Sequence, residues 1–170
     1  MRSEIWNRAL GLAALGIAAL ALVGCDGDGG GGDGGAGGEG NDANPHDAAA
    51  QICVDTINDY RKTLDLPPYE RWIEQEICSN GEAESDSISG TPHGAFGSCE
   101  ESAQNECPGW AGPPGAMIPD CLALMWAEGP GEDFQAHGHY INMSNPAYTR
   151  VSCGFFETAD GAVWAVQNFK

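Results

Sequence analysis

The stretch TRVSCGFFETADGAVWAVQNF, residues 149–169, reads as two strands joined by a tight turn. Asp160-Gly161 is a strong hairpin signal, because the two-residue turns that match strand twist need positive φ at their centre. The flanking runs, TRVSCGFFE and AVWAVQNF, are rich in β-branched and aromatic residues. Upstream, HGHYINM (137–143) is expected to be a third strand. The segments before it carry helical spacing. Helices followed by an antiparallel sheet argue an α+β domain with helices packed on the sheet.

The first helix is expected to begin near Pro45 or Asp47 and to run to about Leu64, with Cys53, Ile57 and Tyr60 on one face. Leu66 and Pro67 each precede a proline, which ends it. A second helix is expected from Tyr69 to about Ser85, burying Trp72, Ile73 and Ile77. Its acidic residues Glu70, Glu74, Glu76, Glu82 and Glu84 read as a solvated face, since no EF-hand loop spacing is present. Residues 88–115 are rich in Gly, Pro and Ser. They read as loop, with a short strand near His93 and a helical turn around Glu100 to Asn105. A third helix over about 118–128 would bury Ile118, Cys121, Leu122 and Met125.

The N-terminal part has a different character. Arg2 and Arg8 precede a continuous apolar run, Ala9 to Val23, that is too short for a membrane span and reads as an export signal. It closes in Leu22-Val23-Gly24-Cys25, which resembles the lipobox of bacterial lipoproteins, with Cys25 as the lipidated residue. Residues 26–44 are dominated by glycine and acidic residues and have no large apolar side chain. Such a segment cannot offset its ordering entropy and is expected to act as a tether, reaching roughly 25 Å on average. The expected organisation is a leader over 1–24, lipidated Cys25 with its tether to 44, and one folded domain over 45–170.

Composition narrows the partners. The formal net charge is −18 at pH 7. A chain this acidic repels phosphate backbones and anionic headgroups, so nucleic acid is excluded and membrane contact rests on the lipid anchor alone. Setting Cys25 aside, Cys53, Cys78, Cys99, Cys107, Cys121 and Cys153 are an even set. In an exported domain they read as three disulfides of unresolved pairing, with no thiol left over as nucleophile. No CxxC pair marks a zinc knuckle.

Four motifs in order carry a family resemblance. INDYRKTLDLPPY (57–69) resembles the opening of the CAP superfamily, the cysteine-rich secretory, antigen-five and pathogenesis-related type-one proteins. Asn58, Arg61, Leu66 and Pro68 fall on its matching positions. GHYINM is similar to that family's GHYTQM, VSCGFF to its vGCG strand, and VWAVQNF to its closing strand. The resemblance covers about residues 50–169 and implies a three-layer α-β-α sandwich with a central, mainly antiparallel sheet. It also implies a cleft lined by two histidines and two acidic residues. His93 in TPHG takes the first histidine position and His139 in GHY the second. Glu128 in MWAE takes one acid position, with Met125 where a tryptophan is usual. Gln104 stands where the other glutamate is usual, flanked by Glu101 and Glu106 as substitutes. Nothing in the family requires His137, which reads as a polar neighbour.

Two neutral imidazoles and a carboxylate suit a borderline divalent ion such as zinc, so His93, His139 and Glu128 are the candidate ligands of a non-obligatory metal. The resemblance implies a non-enzymatic binding module for a hydrophobic small molecule or an envelope or extracellular partner. Phe96, Trp110, Met117 and Phe134 are candidates to line a groove. The alternative is a metal-assisted hydrolase on the same histidines, with Glu128 as base. No GxSxG elbow marks Ser98 or Ser102 as a nucleophile. The expected disulfides are Cys53–Cys78, Cys99–Cys107 and Cys121–Cys153. At Gln167 the family commonly has a strand cysteine, so Cys153 needs another partner.

Overall fold

The computed structural model describes residues 43–170. The leader, Cys25 and the glycine-rich segment to residue 42 lie outside the described residues. Helix α1 spans Asp47–Lys62, strand β1 Glu70–Arg71, and a short 3-10 turn Ile73–Gln75 leads into α2, Glu76–Ser89. Strand β2 is Ala103–Ala111, α3 Pro114–Ala127, α4 Phe134–Ser144, β3 Arg150–Glu157 and β4 Ala162–Phe169. The sheet order is β1-β3-β4-β2, with β1 parallel to β3 and the other pairs antiparallel. No helix among the described residues is long and apolar enough to cross a membrane.

Strand alternation sorts the helices into two layers. On β3, Cys153 points to α1, where it bonds Cys53, while Ser152 points to α2, where it meets Ser79. The larger core lies between the sheet and α1, α3 and α4, around Ile57, Ile118, Leu122, Met143, Phe155 and Phe169. The α+β sandwich and the β3–β4 hairpin around Asp160-Gly161 are as expected, with Gly161 at φ +84°.

The α2 side is polar. Glu76, Glu82 and Asp86 are buried against the sheet, whereas Ile73 and Ile77 are 61% and 47% exposed. Of the expected solvated acids, Glu70, Glu74 and Glu84 are exposed, but Glu76 and Glu82 are not; the expected burial of both isoleucines fails, and only Trp72 is buried as expected. The reason is that the facing strands offer Ser152, Gln104 and Asn168, which hydrogen-bond to α2 instead of packing apolar groups on it. The start of the helix also shifts. Glu70 N–H donates to Thr149 O and Trp72 N–H to Val151 O, so the sheet edge takes residues 70–71 and α2 begins only at Glu76. Gly154 on β3 lies where any Cβ would collide with the backbone of Ser79 and Asn80. Gly154→Ala should therefore cost about 1–3 kcal/mol by forcing α2 off the sheet, as read by urea denaturation.

Four further expectations are corrected. HGHYINM is helical, the middle of α4. Asp133 caps that helix, its side chain accepting from Gln135 N–H at 3.0 Å, and Asn145 before Pro146 stops it in extended conformation. So short a run, with few apolar positions, is compatible with either period, and the caps decide it. The expected helical turn at 100–105 gives way to the long strand β2, and the expected strand near His93 is a run of turns. Pro108-Gly109, which reads as a loop, is an irregularity within β2 where the register shifts and Gly109 takes φ +66°.

None of the expected disulfide pairs forms. The bonds are Cys53–Cys153, Cys78–Cys99 and Cys107–Cys121. Once β2 is a strand, Cys107 faces α3 and meets Cys121, which leaves Cys153 for α1. The three bonds thus tie α1 to β3, α3 to β2, and α2 to the loop that carries His93.

Candidate binding cleft

Strand β2 is an edge of the sheet, and its alternation sends Gln104 and Asn105 to opposite faces. The loop carrying His93 closes over the first face and α4 over the second. On the α4 side Asn105 Nδ2 donates to His139 O at 3.1 Å, and Asn142 Nδ2 donates to Asn105 Oδ1 at 2.9 Å. The two layers meet in a hollow of about 330 Å³ whose lining includes His93, Gln104, Asn105, His139 and Asn142. A second hollow of about 310 Å³ shares His93, Gln104, Phe134 and Asn142 with it and adds Phe96, Ala103 and Tyr148. Together they form one groove with a polar end and an apolar end.

His139 is held by Glu128. Its Nδ1 lies 2.5 Å from Glu128 Oε1, and its backbone N–H donates to Oε2 at 3.0 Å. A carboxylate oxygen against Nδ1 makes that nitrogen the N–H and leaves the lone pair on Nε2. His137 lies apart from the lining of both hollows. Its Nδ1 hydrogen-bonds Glu128 O at 2.8 Å and Gly129 O at 3.0 Å, and its ring fills the space where Gly131 lacks a Cβ. It clasps the turn before α4.

His93 sits at φ +60°, a left-handed conformation that a non-glycine residue adopts only when its surroundings hold it there. Two buried acids do so: His93 N–H donates to Glu106 Oε2 at 2.5 Å and Ala95 N–H to Asp86 Oδ1 at 2.7 Å. The imidazole Nδ1 lies 2.8 Å from Gln104 Oε1 and 3.7 Å from Glu106 Oε2. Of the two flanking acids, Glu106 therefore faces His93, whereas Glu101 accepts the backbone N–H groups of Gly97 and Cys99. Ser102 lines the apolar end, and Ser98 Oγ donates to Ala95 O. Met117 is a core residue at 4% exposure and Trp110 packs against the core, while Phe96 and Phe134 stand 49% and 61% exposed at the groove.

Burial without a matching cation pushes the carboxyls of Glu82 and Glu106 up to about 7 and raises that of Asp86. The folded protein therefore holds protons that the unfolded chain, with glutamates near about 4.3, has released. Their contribution to stability is full below that value and is lost as pH rises through about 7. The melting temperature should be higher at about pH 5 than at about pH 7.5, and Glu106→Gln should flatten that slope.

Among the described residues, the one trio of ligand atoms within 4.8 Å of one another belongs to Glu82, Cys99 and Glu101. Cys99 is bonded to Cys78 and offers no thiolate, which leaves two carboxylates. Glu128, with both oxygens turned to His139 and its neighbours, is an orienting group for that ring. The expected ligands His93, His139 and Glu128 do not form such a trio. The sequence reading missed Asn105, Asn142, Glu82 and Asp86, because they connect to the cleft only once β2 and α4 are in place.

The α-β-α sandwich thus brings two histidines, one from the long loop and one from α4, to one groove, with Glu128 against the second. The sequence pattern of the cysteine-rich secretory protein (CAP) family matches residues 54–169, and the chain belongs to that family. The fold is similar to the crystal structure of hookworm platelet inhibitor, with TM-score 0.53 and 14% identity over 73% of this chain and 69% of that one. It is also similar to Na-ASP-1, with TM-score 0.56 and 11% identity over 77% of this chain and 41% of that one. A third similar structure is an outer surface protein from Borrelia burgdorferi, with TM-score 0.52 and 16% identity over 73% of this chain and 92% of that one. No curated protein sequence matches the chain.

Proposed function

We propose that this chain is a non-enzymatic binding module, held outside the cytoplasm by a lipid on Cys25 and the tether after it. Its ligand is a small molecule with an apolar body and a polar end. The observation that carries this reading is the shared lining of the two hollows, which joins exposed Phe96 and Phe134 to the polar groups around His93 and His139. Exposed aromatic side chains beside a concave surface gain by being covered, and the polar end orients what covers them. Three disulfides support an extracellular setting, as does the likeness to a spirochaete outer surface protein.

His93 and His139 would also hold a zinc-like ion through Nε2, with Glu128 acting through His139; such an ion would polarise a ligand oxygen. Two neutral nitrogen ligands bind weakly, and protons compete with the metal for the same lone pairs.

The test is native mass spectrometry of the protein with a series of fatty acids and sterols, alongside zinc titration by calorimetry. Phe134→Asp should weaken retention of the apolar ligand at least about tenfold, the equivalent of losing one partly covered aromatic contact. His139→Ala should abolish zinc binding and leave apolar retention largely intact. Hydrolysis of an ester substrate that disappears in His139→Ala would overturn the non-enzymatic reading. Incorporation of labelled palmitate that persists in Cys25→Ala would remove the anchor.

A further inference from the structure

The two cleft histidines are supported differently. His139 rests directly on a carboxylate, Glu128, whereas His93 rests on an amide, Gln104. An amide alone does not fix a tautomer, since its oxygen accepts and its nitrogen donates, and a half-turn exchanges them. What lies behind Gln104 decides its direction. Its Nε2 faces Glu82 Oε2 at 3.2 Å and Asn168 Oδ1 at 3.0 Å. Asn168 is fixed in turn, because its Nδ2 donates to the same Glu82 Oε2 at 2.5 Å and to Ser79 Oγ at 3.0 Å. Turning either amide over would set its oxygen against a buried carboxylate oxygen. Glu82 is 2% exposed, so water cannot relieve that clash.

We propose that Glu82 is the positioning carboxylate of His93, acting through Gln104. It fixes the amide so that Oε1 faces the ring, which makes His93 Nδ1 the N–H and leaves the Nε2 lone pair for the cleft. The relay Glu82–Gln104–His93 thus gives His93 the tautomer that Glu128 gives His139 directly, and it accounts for glutamine at position 104. Glu82 Oε2 is the acceptor that faces both amides, while Oε1 has no hydrogen-bond partner among the described residues. The inference rests on the reading of the groove as a binding site that uses the two Nε2 atoms.

The test is long-range proton–nitrogen correlation NMR on metal-free protein carrying labelled histidine, read on the neutral rings. His93 and His139 should both show protonated Nδ1. In Glu82→Gln the new amide offers its own donors, the chain of amides loses its direction, and His93 should shift to Nε2–H or to a mixture. His139 should not move, which also reports that the fold is intact. Adding Gln104→Glu to that variant should restore Nδ1–H on His93. Zinc affinity should fall about tenfold or more in Glu82→Gln and recover in the double variant. A His93 that keeps Nδ1–H in Glu82→Gln overturns the proposal, and a His93 protonated on Nε2 in the unaltered protein does so with no variant at all. If the unaltered protein binds no zinc, the metal reading falls while the tautomer measurement still decides the role of Glu82.

Discussion

Replacing Arg61 with alanine should lower the stability of the domain by about 4 kcal/mol, enough to unfold a marginal variant. Arg61 is 1% exposed, a fully buried guanidinium. It donates to Pro67 O at 2.8 Å, Met143 O at 2.8 Å and Asn145 O at 3.1 Å, and lies 3.5 Å over the Tyr69 ring. Met143 and Asn145 are at the C-terminal end of α4, where carbonyls lack helical partners and the backbone dipole attracts a cation. Alanine would orphan the carbonyls of Pro67 and Met143, leave Asn145 O with the Tyr69 hydroxyl alone, and open a void. Each unsatisfied buried acceptor costs about 1–3 kcal/mol, and hydrogen bonds to a charged donor exceed neutral ones. Lysine keeps the charge but not the planar fork, so Arg61→Lys should recover only part of the loss. The check is urea denaturation under non-reducing conditions. A midpoint within error of the unaltered protein would mean that α4 needs no such clamp.

The consequence reaches the cleft, because α4 carries His139. Asn58 adds the other half of the clamp: its Oδ1 accepts from Tyr69 N–H at 2.8 Å, and its Nδ2 donates to Tyr69 O at 3.0 Å. Tyr69 Oη then donates to the carbonyls of Asn142 and Asn145. Burial drives the Tyr69 phenol well above its ordinary range, so it remains a donor at any working pH. The Asn58–Arg61 motif that carries the family resemblance is therefore a device for holding the end of the helix that bears a cleft histidine.

The sequence made the outer features legible. The Asp160-Gly161 hairpin, the buried face of α1, the Ile118–Met125 face of α3 and the α+β class are all local signals of period or turn chemistry. What it hid depends on partners distant in the chain. Residues 137–143 have too few apolar positions to separate helix from strand, and the evidence lay in Asp133 and Asn145 at the two ends. Strand β2 contains Pro108-Gly109 and buried polar residues, so neither composition nor alternation announces it, and pairing with β4 makes it a strand. The acids of α2 look like a solvent face until the sheet below is seen to be polar. The candidate site residues His93, His139, Gln104 and Glu128 were read from motifs, and three of them line the groove. Their hydrogen-bond supports were not, because those supports belong to β2 and α2.

The same hidden strand misdirected the cysteine pairing, and the pairing it replaces sets the second large effect. Cys53 and Cys153 are 100 residues apart, against 14 for Cys107 and Cys121 and 21 for Cys78 and Cys99. A cross-link stabilises chiefly by restricting the unfolded chain, and the restriction grows with the logarithm of the loop closed. Cys53→Ala/Cys153→Ala should therefore cost about 4–5 kcal/mol, and Cys107→Ala/Cys121→Ala about 3 kcal/mol. The first bond also joins α1 to β3 through two fully buried cysteines, so its loss loosens the packing of the larger core as well as lengthening the free chain. Guanidinium unfolding of the two paired variants gives the order directly. The Cys53–Cys153 variant should unfold at the lower denaturant concentration and with the steeper dependence on it, since its unfolded state expands further. If the short bond proves the more costly, loop entropy does not govern the ranking. The stabilisation would then lie in the local fastening of β2 to α3, beside the strand that builds the cleft.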